Sequence, residues 1–135
     1  MFFKILTETK KNHNKVKLAI AKMYSLVYNE VMKDIEFYKL SNDKEPVREW
    51  IKSLDCAIQT RIHVRLARLQ EGNYGDYKNL GEISELRFKF GSGYRIYFKE
   101  IDGILLLLLN AGDKKTQSKD IEKAKDYLKI WKGNE

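Results

Sequence analysis

Two neighbouring segments of the chain alternate between hydrophobic and polar residues. Apolar side chains recur at every second position through Ile83–Phe90, from Leu86 onwards, and again through Tyr94–Lys99. This period of two predicts two β-strands that each bury one face. The glycine-rich segment Gly91–Gly93 lies between them and predicts a short hairpin loop. The polar face of the predicted hairpin carries Arg87, Lys89, Arg95, Tyr97 and Lys99.

The length of this loop determines which residues face each other. Phe90 and Tyr94 flank the predicted loop. The cross-strand pairs that follow are Lys89 with Arg95, Arg87 with Tyr97, and Glu85 with Lys99. Like charges that face each other across a sheet destabilise it unless an anion lies between them. We therefore expect the polar face of this hairpin to bind an anionic partner.

The next segment predicts a second hairpin and a buried strand. Asp102-Gly103 is typical of a type I′ turn, and the aliphatic run Ile104–Leu109 fits a central strand that is covered on both faces. A further strand is predicted at Asp34–Leu40. Helical periodicity and end signals predict helices at Asn14–Met32, from Pro46, after Asp55, and from about Ser118 to Trp131. The predicted order is α–β–α–α–β–β–β–α.

Charge and composition narrow the function classes. The 135 residues carry a formal charge of +7, of which residues 1–31 account for +4. A basic balance favours a polyanion such as nucleic acid as a partner. The single cysteine, Cys56, excludes an internal disulfide and suits a reducing compartment. No Cys/His cluster has metal-ligand spacing and no apolar run approaches membrane-spanning length, so we expect no metal, no cofactor and no membrane association.

Three motifs of the chain resemble a known toxin superfamily. They are EPVREWIKSLD at the helix that starts with Pro46, GNYGDYKNLGEISELRFKFGSGYRIYF through the first hairpin, and LLLLNAGDKKTQSKDIEKAKDY towards the end. In this order and spacing, from about Ile35 to Trp131, the chain resembles the RelE/ParE superfamily of bacterial type II toxins, and most of all its addiction-module killer proteins, the HigB-like branch. The resemblance implies an α+β fold: a mainly antiparallel β-α-α-β-β-β sheet with a helical hairpin on one face and a C-terminal helix. The N-terminal helix would be an addition.

The resemblance also implies a function. RelE-like members cleave messenger RNA on the ribosome, ParE-like members poison DNA gyrase, and a partner antitoxin neutralises both. We therefore expect a cytoplasmic toxin that acts as a metal-independent endoribonuclease and inhibits translation, with mRNA on the ribosome and a cognate antitoxin as partners. Two alternatives stay open. One is a gyrase-inhibiting toxin, which needs no catalytic arginine pair, and the other is a catalytically decayed toxin kept as an interaction module.

The motifs contain the candidate site residues. RNA cleavage without a metal requires a crowded phosphate to be stabilised, and arginine suits this task because its guanidinium binds two phosphate oxygens and stays charged. The candidates for catalysis are Arg87, Arg95 and Lys114. The candidates for RNA binding are Lys89, Tyr97, Lys99, Lys115, Thr116 and Gln117.

These candidates also have structural interpretations. The two arginines could pair with Glu85 and nearby acids, and Tyr97 could be a packing residue. Thr116 and Gln117 could cap the last helix. A stripe of arginines on the helix after Asp55 is either a solvated face or a contact for ribosomal RNA or an acidic antitoxin. That stripe consists of Arg61, Arg65 and Arg68.

The general base for RNA cleavage is not assigned by the sequence. Several RelE relatives carry a histidine or tyrosine near the C-terminus that takes part in proton transfer. Here the last helix offers Tyr127 and Trp131 but no histidine. His63 lies on another helix, away from its arginine stripe.

Residues 1–31 have no counterpart in the resemblance, which leaves residues 32–135 as the toxin-like domain. An isolated amphipathic helix is marginal in water and needs a surface to cover. We therefore expect the N-terminal helix to dock on the domain or on a second copy of the chain. The alternative is that translation starts at Met32 and that the extension is not native. The apolar stripe of this helix consists of Val16, Ile20, Met23, Val27 and Val31.

Overall fold

The structure is a computed structural model that describes residues 13–134, apart from the side chains of His13 and residues 28–31. The chain divides into two units, Met1–Met32 and Lys33–Glu135. In the first unit the described backbone forms helix α1 (His13–Val31), close to its predicted bounds. The rest of the predicted extension, residues 1–12, lies outside the described residues. The docking of α1 on the domain or on a second copy stays a prediction. No described helix is long and apolar enough to cross a membrane.

The described part of the second unit is a five-stranded sheet with helices on both faces. Its elements are β1 (Asp34–Phe37), α2 (Pro46–Lys52), α3 (Cys56–Gln70), β2 (Tyr77–Asn79), β3 (Ser84–Arg87), β4 (Arg95–Ile101), β5 (Leu105–Gly112), a 3₁₀ turn (Lys114–Thr116) and α4 (Gln117–Gly133). The strand order is β1-β5-β4-β3-β2. Strand β1 is parallel to β5, and every other neighbouring pair is antiparallel. The predicted α+β fold class is confirmed. The pattern does not predict β2, because its three residues are all exposed.

The central strand β5 is buried on both faces, as its aliphatic run predicts. Leu106 and Leu108 pack into the core formed with α2 and α3, whereas Leu107 and Leu109 pack into a second core under α4. All four side chains are fully buried. Burial of each leucine stabilises the fold by roughly 1.5–3 kcal/mol. Helix α4 therefore covers the sheet face that the sequence pattern predicts to be open and polar.

The hairpin between β3 and β4 differs from the predicted register by two residues. The observed pairs are Ser84 with Phe98, Glu85 with Tyr97, Leu86 with Ile96 and Arg87 with Arg95. The Phe88 amide donates a hydrogen bond to the Tyr94 carbonyl oxygen at 3.0 Å, so the loop spans residues 89–93. The Tyr94 ring lies over Gly91, where a Cβ atom would be 2.3 Å from the ring and φ is +66°. The predicted pairing of Lys89 with Arg95 is therefore wrong.

The second hairpin has the predicted turn. Asp102 and Gly103 both have positive φ values, of 53° and 72°. The Ile104 amide donates to the Ile101 carbonyl oxygen at 3.1 Å. This is the geometry of a type I′ turn, which requires two left-handed residues and favours Asp-Gly.

A polar cluster of Lys33, Tyr74 and Glu100 joins the start of β1 to the end of β4. The Lys33 ammonium donates to the Tyr74 hydroxyl at 2.6 Å and forms an ion pair with the Glu100 carboxylate. The Tyr74 hydroxyl also donates to that carboxylate. Hydrogen bonds from Lys33 and Tyr74 lower the pKa of Glu100, and the hydrogen bond to Glu100 raises the pKa of Lys33.

We expect the contribution of this cluster to stability to depend on pH. Because folding lowers the pKa of Glu100, its contribution is present above the ordinary value of 4.5 and is lost as the pH falls through the folded-state pKa. The pKa of Lys33 is raised, so its contribution is present below 10.5 and is lost as the pH rises through the folded-state pKa. Glu100→Gln should lower the free energy of unfolding by about 1 kcal/mol at neutral pH, since both side chains are partly exposed. This deficit should shrink in strong acid.

Denaturant unfolding across the acid range measures this effect. Glu122→Gln removes the same charge from an exposed position of α4, and should leave the acid dependence of stability unchanged. A deficit of Glu100→Gln that stays constant into strong acid would contradict the role assigned to the carboxylate.

Candidate functional site

Two arginines lie opposite each other at one end of the sheet. Arg87 ends β3 and Arg95 begins β4, and the register makes them direct partners. Their side chains project on the same sheet face, the one that also carries α4. The side chain of Arg87 is 38% exposed and that of Arg95 is 13% exposed. Two cations in this position repel each other, so they require nearby acids or a bound anion.

A buried glutamate lies between the two arginines. Glu85 is 1% exposed. Its Oε2 atom lies 3.4 Å from Nε of Arg95, and its Oε1 atom lies 4.0 Å from Nε of Arg87. The Gln117 side-chain amide, at the start of α4, donates to Oε2 at 2.9 Å. A buried carboxylate is tolerated because it is paired and hydrogen-bonded. Glu85 thus holds the arginine pair and α4 at the same point.

The acids approach the guanidinium groups from their Nε edges. Asp76 places Oδ1 at 3.3 Å from Nε of Arg87, and Glu85 approaches Nε of Arg95. Neither Nε atom has a hydrogen bond of good geometry. Nη1 of Arg95 donates to the Gly93 carbonyl oxygen at 2.7 Å. Within residues 13–134, both Nη atoms of Arg87 and Nη2 of Arg95 donate no hydrogen bond to protein. These nitrogens can bind the oxygens of an anion such as phosphate.

Contacts with the hairpin loop place Lys114 beside Arg95. The Lys114 amide donates to the Ser92 carbonyl oxygen at 3.2 Å. A Cβ atom built on Gly93 would lie 3.1 Å from Nη1 of Arg95 and 3.2 Å from Cβ of Lys114. Gly93, at φ +75°, therefore lets the two cationic residues approach each other. The structure brings together all three residues predicted for catalysis. Their catalytic role stays a prediction.

The turn that carries Lys114 is held by side-chain hydrogen bonds. Asp113 accepts from the Lys115 amide at 2.9 Å and from the Ser92 hydroxyl at 3.2 Å. The Thr116 hydroxyl donates to Asp120 at 2.5 Å. Burial raises the pKa of Asp120. Lys115 and Thr116 are exposed next to Lys114, and their predicted role in RNA binding stays a prediction.

Tyr97 is not on an open face. The sequence pattern predicts an exposed aromatic that could stack on a base, but Tyr97 is 0% exposed and packs under α4. Its hydroxyl has no hydrogen-bond partner among the described residues. Burial raises the pKa of Tyr97, and the nearby charge of Glu85 raises it further. The predicted exposure of Tyr97 is therefore wrong, because the C-terminal helix covers this part of the sheet.

Two further lysines of the predicted RNA-binding set lie apart from the arginine pair. Lys89 is an exposed residue of the hairpin loop and lines a groove beside α3. Lys99 is half-buried and pairs with Leu107 further along β4. Lys99 lies four positions along the strand from Arg95, or roughly 13 Å away. Lys89 lies apart because the loop is two residues longer than predicted and takes Lys89 out of the strand. Lys99 shares a sheet face with Arg95 but lies further along the same strand, so loop length does not affect their separation.

The aromatic residues of α4 are engaged near β1, away from the arginine pair. Tyr127 stacks on Tyr38 with a centroid distance of 4.8 Å, and the Trp131 indole donates to Glu36 at 3.0 Å. His63 is exposed on α3. Within residues 13–134 no group of three or more His, Cys, Asp or Glu side chains is arranged to hold a metal ion. The positions of Tyr127, Trp131 and His63 therefore do not identify a general base for RNA cleavage.

Sequence reasoning did not predict the acids as parts of the site. In the sequence analysis, Glu85 and unnamed nearby acids enter only through the alternative in which the two arginines are paired for structural reasons. The signal for Glu85 is its position in the ELR motif, because period two puts it on the same face as Arg87. Asp76 gives no such signal, since it lies in the loop before β2.

Comparisons with known proteins add a relative and a similar structure. No family model matches the chain. The structure is similar to a mutant of the E. coli toxin RelE in the free state, with a TM-score of 0.49 and 17% sequence identity, covering 68% of this chain and 97% of that chain. The sequence is 46% identical over 78 residues to an uncharacterized protein of Haemophilus influenzae, covering 56% of this chain and 79% of that protein. The chain therefore belongs to the same family as this uncharacterized Haemophilus influenzae protein.

Proposed function

We propose that this protein is the toxin of a type II toxin–antitoxin system and that it cleaves messenger RNA on the ribosome without a metal. The observation that carries the proposal is the facing pair Arg87 and Arg95, with Lys114 beside it. Glu85 and Asp76 hold the pair from the Nε edges and leave Nη atoms for phosphate oxygens. The ELR, GYR and GDK motifs that carry these residues also support the proposal by their resemblance to RelE/ParE toxins.

The proposed chemistry is an attack of the 2′-oxygen of a ribose on the adjacent phosphorus. The bond from phosphorus to the 5′-oxygen breaks, which leaves a 2′,3′-cyclic phosphate and a free 5′-hydroxyl. Arg87 and Arg95 bind the non-bridging oxygens and stabilise the additional negative charge of the transition state. Lys114 is exposed and donates a proton to the leaving 5′-oxygen or binds a phosphate oxygen. No side chain is assigned to remove the proton of the 2′-hydroxyl, because Glu85 is buried and engaged by Gln117.

The remaining candidates have supporting roles in this proposal. Lys115 and Thr116 are exposed beside Lys114 and extend the contact along the RNA backbone. An antitoxin would neutralise the toxin, and acidic side chains of that antitoxin would be attracted to the cationic surface. An action on translating ribosomes places the function in the cytoplasm. The HigB-like branch is proposed on the motif resemblance alone.

Brief induction of the protein in a bacterial host tests this function. We expect growth arrest, with primer extension on cellular messages showing new 5′ ends inside translated regions. A message whose start codon is removed is the control, and it should stay intact because cleavage requires translation. Gyrase-dependent DNA breakage with intact messages would replace the proposal with a gyrase-inhibiting toxin. If induction causes neither message cleavage nor DNA breakage, the protein is a decayed interaction module.

A further inference from the structure

A groove beside α3 has no part in the proposed RNA chemistry. Its volume is ≈ 480 Å³, and α3, the loop after it and the hairpin loop 89–93 form its walls. Three cationic side chains and two apolar side chains determine what it can bind. They are Arg61, Arg68, Lys89, Val64 and Phe90.

The wall of the groove is fixed by one arginine. Arg65 donates hydrogen bonds to the backbone carbonyl oxygens of Arg87 at 2.9 Å, Tyr74 at 3.1 Å and Asp76 at 3.2 Å. These bonds join α3 to the loop before β2 and to the end of β3. A ligand therefore meets a preformed surface, and binding costs little ordering of the protein.

The groove is cationic without internal compensation. In the described part of the chain, no acidic side chain forms an ion pair with Arg61, Arg68 or Lys89. Asp76 is the one acidic residue among those that line the groove, and its carboxylate is paired with Arg87. The groove is therefore complementary to an anionic partner.

The aromatic and apolar contacts favour a peptide over RNA as this partner. The Arg61 guanidinium lies 4.0 Å above the Phe90 ring, and Tyr94 and Phe88 contact the same ring at centroid distances of 6.3 Å and 5.5 Å. An RNA base needs an open aromatic face for stacking, and Phe90 has this face occupied. Val64 is 46% exposed, and an aliphatic side chain of a peptide would cover it.

We propose that this groove binds an acidic amphipathic peptide segment of a partner protein. Its apolar side chains cover Val64 and contact the part of Phe90 that lines the groove, and its carboxylates pair with Arg61, Arg68 and Lys89. This inference does not depend on RNA cleavage, because binding at the groove is measured separately from activity.

A labelled synthetic peptide tests the proposal on the full-length protein. The probe is an amphipathic helix with leucine on one face and glutamate on its flanks, followed by fluorescence anisotropy. We expect saturable binding that weakens as salt is raised. A scrambled peptide of the same composition should bind more weakly, because it keeps the charge but loses the apolar face. Hydrogen exchange should show protection of α3 and of residues 89–93.

Charge-reversal variants localise the binding. Arg61→Glu and Arg68→Glu should each weaken peptide binding at least about tenfold. Arg48→Glu is a matched control, because Arg48 is an exposed arginine on α2 that also lies 4.0 Å above a ring, that of Phe37. Absence of peptide binding, or an equal loss in Arg48→Glu, would overturn the proposal. Binding of an oligouridylate that depends on Arg61, with no binding of the peptide, would overturn it in favour of RNA.

Discussion

Arg95→Ala is expected to abolish growth arrest and to lower the rate of RNA cleavage by a factor of about 10²–10³. The reason is that the substitution removes one of the two guanidinium groups that would stabilise the phosphate in the transition state. Arg95 is the less exposed of the pair, and its Nη2 nitrogen donates no hydrogen bond to the part of the chain that the structure describes. The measurement is primer extension on a message translated in vitro, together with growth after induction.

Two comparison variants separate the loss of chemistry from a loss of fold. Arg95→Lys keeps the charge but loses the planar fork, so it should be intermediate in activity. Arg48→Ala removes an arginine from the exposed surface of α2, and the variant protein should cleave RNA at the normal rate. Because Arg95 also pairs with the buried Glu85, all variants must be compared at a temperature where unfolding curves show them to be folded. A folded Arg95→Ala protein that arrests growth as strongly as the wild type would refute the role of the arginine pair.

The parts of the fold that follow from local pattern were predictable from the sequence. The aliphatic run of β5 predicts burial on both faces, because no polar residue interrupts Leu105–Leu109. Pro46 and Gly72 mark a helix start and a helix end, and the structure has Pro46 at the first turn of α2 and Gly72 at φ +87° after α3. Asp102-Gly103 predicts the second hairpin for the same reason, since left-handed backbone restricts the residue types there.

The register of the first hairpin could not be read from pattern alone. A loop of three or five residues leaves the alternation unchanged, because a shift of two preserves which face each side chain occupies. The choice depends on the Tyr94 ring packing over Gly91 and on the backbone bond from Phe88 to Tyr94. Sequence reasoning therefore placed both arginines on the correct face and gave them the wrong partners.

The burial of charged and aromatic residues in the site depends on the last helix. Glu85 and Tyr97 alternate with core residues, and charged residues are seldom fully buried, so the pattern places them towards solvent. They are buried because α4 packs across this face and brings Gln117 to Glu85 from 32 positions further along the chain. No local signal in β3 or β4 indicates that contact.

Glu85→Ala is expected to lower the free energy of unfolding by about 3 kcal/mol. The substitution leaves Arg95, the Gln117 amide and the buried edge of Arg87 without the carboxylate that they share. Removal of one member of a buried ionic group leaves the others desolvated and unpaired, which costs more than the pair itself stabilises. Urea unfolding measures the loss. Glu82→Ala removes the same residue type from an exposed position and should change stability by less than about 0.5 kcal/mol.

Glu85 should also affect the rate of RNA cleavage, because it positions Arg87 and Arg95. Glu85→Gln keeps the shape and one acceptor oxygen for Gln117, so this variant should be more stable than Glu85→Ala. It removes the charge that holds Arg95 by its Nε edge, so both guanidinium groups become free to move apart. We expect the folded Glu85→Gln protein to show a lower kcat with a smaller change in KM. The cationic surface still binds RNA, but the two guanidinium groups no longer hold the phosphate in one fixed position. If Glu85→Ala is as stable as Glu82→Ala, the buried carboxylate does not organise the arginine pair, and the geometry proposed for phosphate binding must be abandoned.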